Sequence, residues 1–223
     1  MSRKIMRINA GPGCGKSFTL ANIFMYIRAN NRKSWEKSAT DEQMAIYEWC
    51  DKNLPPEARK KCGYFAYNDD IVQDMKKKTH PETECKTAHG WGYSVINKEC
   101  GFLKVNPARS VNIVQQITGQ PLAGMDNKEK FRWLSAIRHF EKMKEELLDP
   151  TEENCAKIHD KYDSLAPFQC FDGMSNYINK MMPAHKTPNR KLGIEFVDQV
   201  WLSLFLIKQP IMPLGLIDED QDL

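Results

Sequence analysis

The chain has 223 residues, 41% hydrophobic and 27% charged, a balance that excludes bulk disorder and a fibrous chain. Its longest apolar run, Val200 to Ile207, is short of the roughly 20 apolar residues a bilayer span takes, so no membrane partner is expected. The formal charge is +3, and it becomes +7 without Asp218, Glu219, Asp220 and Asp222 near the C-terminus, a surplus that permits a phosphate-rich partner without demanding one.

In chain order, Lys4 to Asn9 alternates and reads as a short strand. Ser17 to Asn30 reads as a helix with Leu20, Ile23, Phe24 and Ile27 on one face. Asp41 to Asp51 is a second helix, and Gly63 to Tyr67 a short aromatic strand. Asn68 or Asp69 can cap a helix running to about Lys78, and Glu84 to His89 reads as a strand. Asp126 with Glu129 forms a capping-box pattern before a long helix, and Asp149-Pro150-Thr151-Glu152 starts another. A short helix over Ser175 to Met182 is predicted to stop at Pro183, and Thr187 to Lys191 is a polar, basic loop. Ile194 to Lys208 reads as an apolar helix and Pro213 to Ile217 as a buried strand. Strands and helices alternate at both ends around a helical block, which predicts an α/β fold, a parallel sheet with a helical insertion. The seven cysteines include no C-x-x-C pair, and reduced thiols in a cytoplasmic setting fit best.

Residues 10–17 read Ala-Gly-Pro-Gly-Cys-Gly-Lys-Ser, a phosphate-binding loop with alanine in place of the first glycine of G-x-x-x-x-G-K-[ST]. Ala10, Gly11, Pro12, Gly13, Cys14 and Gly15 form the loop, and its glycines let backbone N–H groups turn toward an anion. The helix that follows aims its positive end at the same place. Lys16 can reach the β- and γ-phosphates, and the Ser17 hydroxyl suits Mg²⁺, which takes hard oxygen ligands. Cys14 reads as a space-filling residue or a redox-sensitive thiol.

Leu214 to Ile217 leads into Asp218-Glu219-Asp220-Gln221-Asp222. An apolar parallel strand ending in acids suits a nucleoside triphosphatase, with Asp218 holding Mg²⁺ and Glu219 orienting and deprotonating the attacking water. The alternative is a solvated acidic tail. Lys76-Lys77-Lys78 reads as a solvated helix end or as part of a nucleic-acid path.

Together, residues 10–17 and Ile-Asp-Glu-Asp-Gln-Asp (217–222) resemble the first and second motifs of UvrD/Rep-type superfamily 1 helicases. Phe65-Ala66-Tyr67-Asn68 resembles the A-F-N segment of that family, and Thr87-Ala88-His89 its T-x-H segment, all in family order. The resemblance implies a RecA-like P-loop NTPase sheet in a discontinuous ATP-binding domain, 1–100 with 190–223, and a helical insertion subdomain over 101–189. It implies ATP and Mg²⁺ as cofactors and single-stranded DNA as partner, with Tyr67 stacking on a base and Asn68 and His89 touching the strand. Read without the resemblance, Tyr67 is a core aromatic and His89 a hydrogen-bonded strand-end histidine. Gln221 would sense the γ-phosphate and couple it to DNA. The later motifs of the family, and the second RecA-like domain with its arginine fingers, have no counterpart in these residues. A C-terminal helicase half or partner chain is therefore expected to complete the sheet and the ATP site. The cytoplasm of a bacterial or phage-infected cell is the expected setting. Two other readings fit parts of the pattern: a non-catalytic module that binds nucleotide or single-stranded DNA, and a phosphate-loop small-molecule kinase.

Overall fold

A computed structural model describes residues 15–29, 32–56, 61–66, 68–207 and 214–217. Its described residues fall into two compact units, one formed by those before His89 together with 214–217, the other by His89 to Ile207.

In the first unit, helix α1 (Lys16–Arg28) buries Leu20, Ile23, Phe24 and Ile27, the stripe its periodicity predicts. A four-residue helix, α2 (Lys33–Glu36), precedes α3 (Asp41–Asn53). The latter starts at a full capping box, in which the Thr40 hydroxyl accepts from the Gln43 N–H and the Gln43 side chain accepts from the Thr40 N–H. Strand β1 (Cys62–Ala66), helix α4 (Asp69–Lys78) and strand β2 (Glu84–Thr87) form a βαβ unit. Strand β3 (Leu214–Ile217) pairs with the other side of β1, also parallel, giving the order β2-β1-β3. Flanked on both sides, β1 is buried along almost its whole length, as central parallel strands are.

The second unit joins β2 to β3 in the chain and is helical. It contains α5 (Ala88–Cys100), α6 (Arg109–Thr118), α7 (Asn127–Glu145), α8 (Glu152–Lys161), α9 (Met174–Lys186) and α10 (Asp198–Leu206). Its core is separate from that of the first unit and gathers Trp133, Phe140, Ile178, Trp201 and their neighbours.

The α/β fold with a RecA-like sheet, expected from the sequence and its motifs, is not what the described residues form. The described residues are predominantly helical and their sheet is one of three short parallel strands, so a RecA-like sheet of several strands is not formed by them. Helices over 88–100 and 109–118 occupy stretches without a clear sequence pattern, and β2 ends at Thr87 rather than His89. The predicted strand Lys4 to Asn9 lies outside the described residues. The helix expected to stop at Pro183 continues to Lys186, because that proline falls in the last turn. The Pro183 carbonyl accepts from both the N–H (3.1 Å) and the hydroxyl (2.7 Å) of Thr187, which closes the helix.

Candidate functional site

Parallel strands end at a common edge, and in open α/β sheets ligands bind outside those C-terminal ends. Here the ends are nearly flush: Ala66 pairs with Thr87, and Phe65 with Ile217. Asn68 lies two residues beyond the end of β1, and the acidic run from Asp218 begins one residue beyond the end of β3.

The direction of α1 relative to β1 follows from two contacts. At its C-terminal end, the Arg28 guanidinium lies 3.4 Å from the Cys62 sulfur at the start of β1 and 2.6 Å from His80 Nδ1 in the connection before β2. One helical turn earlier, the Phe24 ring meets Tyr64 edge-on at 6.5 Å. Four helix residues (about 6 Å) thus match two strand residues (about 6.6 Å) in the opposite sense, so α1 runs antiparallel to the strands. Seven residues before Phe24, about 10 Å along the axis, Ser17 falls about three strand residues beyond Tyr64, just past the end of β1. The helix N-terminus that carries Gly15, Lys16 and Ser17 therefore opens at the C-terminal edge of the sheet.

That N-terminus has the features an anion takes. Gly15 is left-handed, with φ 75° and ψ 24°, and among the described residues nothing beyond its chain neighbours lies within 4 Å of where its Cβ would stand. The first turn of α1 contains no acidic residue and no side-chain cap. By helix geometry the first N–H groups have no intrahelical acceptor, and the dipole favours negative charge there. A phosphate group fits this end. Ala10, Gly11, Pro12, Gly13, Cys14, Tyr67, Asp218, Glu219 and Gln221, and the side chain of Lys16, lie outside the described residues.

Asn68 serves α4 as its N-cap: Oδ1 accepts from the Ile71 N–H at 3.0 Å. The acids beside it, Asp69 and Asp70, occupy the first turn of α4, where the dipole favours them. Lys76, Lys77 and Lys78 lie in its last turn, about 12 Å along the helix, toward the opposite edge of the sheet. The lysine triplet and the sheet edge bearing Asn68 are thus not brought together. His89 lies in the first turn of α5, half-buried, stacked on Phe196 with centroids 4.2 Å apart and planes 16° apart. Burial holds its pKa below the usual histidine value, an effect that nearby Glu145 opposes.

Within the second unit, sequence reasoning missed a buried charged network. Arg109, Lys144, His185 and Asp198 are almost wholly inaccessible. The Arg109 guanidinium donates to Asp198 and to the carbonyls of Ala184 and His185 at 3.0 and 3.1 Å. Lys144 Nζ donates to Glu195 at 2.7 Å and Asp198 at 2.8 Å. Burial alone would raise the pKa of Asp198; its contact with His185 and the charges of Lys144 and Arg109 overcome that and hold it far below the usual carboxylate range. For His185, burial is the largest influence and lowers the pKa. The donor atoms of His185, Glu195 and Asp198 lie within 4.8 Å of one another, a spacing that suits a metal ion. The two carboxylates, however, already hold the Lys144 ammonium, with Arg109 on Asp198, so the protein supplies its own cations. The sequence signal was the two acids Glu195 and Asp198 in the mostly apolar stretch read as a helix over 194–208.

No family model, curated protein or solved structure matches the chain.

Proposed function

We propose that this chain is the N-terminal ATP-binding portion of a superfamily 1 DNA helicase, which binds ATP with Mg²⁺ and single-stranded DNA. One observation carries the reading. The helix that begins with the Gly-Lys-Ser end of the phosphate loop opens at the sheet edge where β3 leads into Asp-Glu-Asp-Gln-Asp. A nucleoside triphosphatase needs its phosphate cradle and its acids at one edge, so that residues from both can hold a metal ion beside the phosphates.

In this reading the loop from Ala10 to Gly15 cradles the phosphates and Lys16 reaches the β- and γ-phosphates. Ser17 and Asp218 hold Mg²⁺, whose part is to neutralise charge on the phosphate oxygens. Glu219 orients and deprotonates water, and Gln221 couples the γ-phosphate to DNA. Tyr67, Asn68 and His89 meet the DNA strand, Asn68 through its amide NH₂ because its oxygen caps α4. Arginine fingers, absent from the motifs in this sequence, come from a second helicase half, in the same polypeptide or another. ATP hydrolysis with and without single-stranded DNA tests the reading, with the second half supplied. Turnover should rise with DNA and vanish in Lys16→Ala and Glu219→Gln. Turnover unchanged in both variants would refute it.

A further inference from the structure

The charges of the helical unit are segregated. Along α7, α8 and the segment between them, Arg132, Arg138, Lys142, Lys157 and Lys161 each have a glutamate within 4.0 Å. Residues 100–125 and 173–194, by contrast, contain no aspartate or glutamate. The fold ties these two acid-free segments together. The Ile194 N–H donates to the Lys104 carbonyl (3.0 Å), the Asn106 N–H to the Ile194 carbonyl (2.7 Å), and the Asn106 amide to the Leu192 carbonyl (2.8 Å).

Each segment turns two residues outward. Leu103 is buried and pinned: its carbonyl accepts from the Tyr93 hydroxyl at 2.6 Å and its N–H donates to Asn97 at 3.2 Å. Its neighbours Phe102 and Lys104 are consequently exposed, Phe102 to 65%. Opposite, Asn189 Oδ1 accepts from the N–H groups of Lys191 (3.1 Å) and Leu192 (3.0 Å), and Gly193 closes the turn at φ 69°. A Cβ on Gly193 would stand 2.4 Å from the Lys104 carbonyl oxygen, so only glycine allows this approach. Leu192 faces the core, and Arg190 and Lys191 stand exposed at the tip. The Arg190 guanidinium reaches beside Gly101, 3.7 Å from where its Cβ would be, next to exposed Phe102. Among the described residues, none of Lys104, Arg190 and Lys191 has an ion-pair partner.

We infer that Phe102, Lys104, Arg190 and Lys191 form a binding surface for single-stranded nucleic acid on the helical unit. Three uncompensated cations on a rigid frame suit a phosphate backbone, and an exposed ring suits an unpaired base, whose face a duplex hides. The preference for nucleic acid over another polyanion rests on the DNA reading above, but the surface does not depend on the nucleotide site.

Fluorescence anisotropy with labelled oligo-dT, in the absence of nucleotide and over a range of salt, tests this on the full chain. In Lys104→Ala/Arg190→Ala/Lys191→Ala the slope of log affinity against log salt should flatten by about 2, at about 0.7 per phosphate contact on a single strand. Phe102→Ala should weaken binding on the order of tenfold with the slope unchanged. Arg138→Ala/Lys142→Ala, on the glutamate-compensated face, should change neither. Circular dichroism melts matching the parent confirm that these exposed substitutions leave the fold intact. Unchanged affinity and slope in the triple variant overturn the inference, as does displacement of oligo-dT by duplex DNA or polyglutamate at equal charge. ATP binding measured on the same triple variant separates this inference from the nucleotide reading. If it remains while the slope does not flatten, only the surface is refuted. If the slope flattens and no form of the chain binds ATP, only the nucleotide site is refuted.

Discussion

Asn68 has a structural task that can be separated from a DNA contact. Its oxygen accepts the Ile71 N–H at the start of α4, and losing such a cap costs about 1 kcal/mol. Asn68→Ala should therefore lower the urea midpoint by an amount equivalent to about 1 kcal/mol. Asn68→Asp keeps the acceptor, so it should restore stability while weakening oligo-dT binding, because it loses the amide donor and adds a negative charge. An alanine variant as stable as the parent would contradict the cap. At this scale the sequence was informative wherever chemistry is local. The Asp126 cap and the buried stripe of α1 were legible from spacing, the α4 cap was narrowed to Asn68 or Asp69, and of the box expected at Asp126 only the Asp126 side chain, accepting from the Lys128 and Glu129 N–H groups, is formed. Burial pushes the Cys50 thiol up to about 11 and the Cys155 thiol up to about 12, which favours the protonated form.

Elements whose residues answer to distant neighbours were less legible. Helix α5 contains Gly90 and Gly92, and glycine is a poor helix former. Gly92 is there for packing: a Cβ would stand 1.9 Å from the Gln199 carbonyl oxygen, so the glycine lets the backbone of the 199 region approach. The charged network was hidden for a related reason, since Arg109 and Lys144 look like surface residues until α6, α7, α9 and α10 are packed together. Lys144 bridges Glu195 and Asp198 with no exposed surface on its own side chain. Removing one partner of a buried pair leaves a charge uncompensated and costs about 3–5 kcal/mol. Lys144→Met should destabilise the chain by that order in chemical denaturation. If instead the variant unfolds at the parent's denaturant midpoint, the network does not hold these helices.

On the scale of the whole molecule, the described residues form two units, and in sequence the helical one is inserted between β2 and β3 of the three-stranded parallel sheet. Sequence alternation pointed to parallel strands and a helical block, and β1, β2 and β3 fall where it placed strands, but the larger RecA-like sheet that the motif resemblance implied is not formed by the described residues. The direction of α1 was beyond the sequence, since it rests on Arg28 meeting Cys62 and His80 at one end and Phe24 meeting Tyr64. That direction brings the Gly15–Ser17 helix end to the edge where β3 leads into Asp218, the edge proposed to bind Mg-ATP. Titration of a fluorescent ATP analogue, with and without Mg²⁺, into the chain and into Lys16→Ala and Asp218→Ala tests it most directly. Saturable binding is expected, abolished in Lys16→Ala, with a Mg²⁺ enhancement that Asp218→Ala removes. Binding of equal strength in all three proteins, or no binding to the unaltered chain, would contradict it.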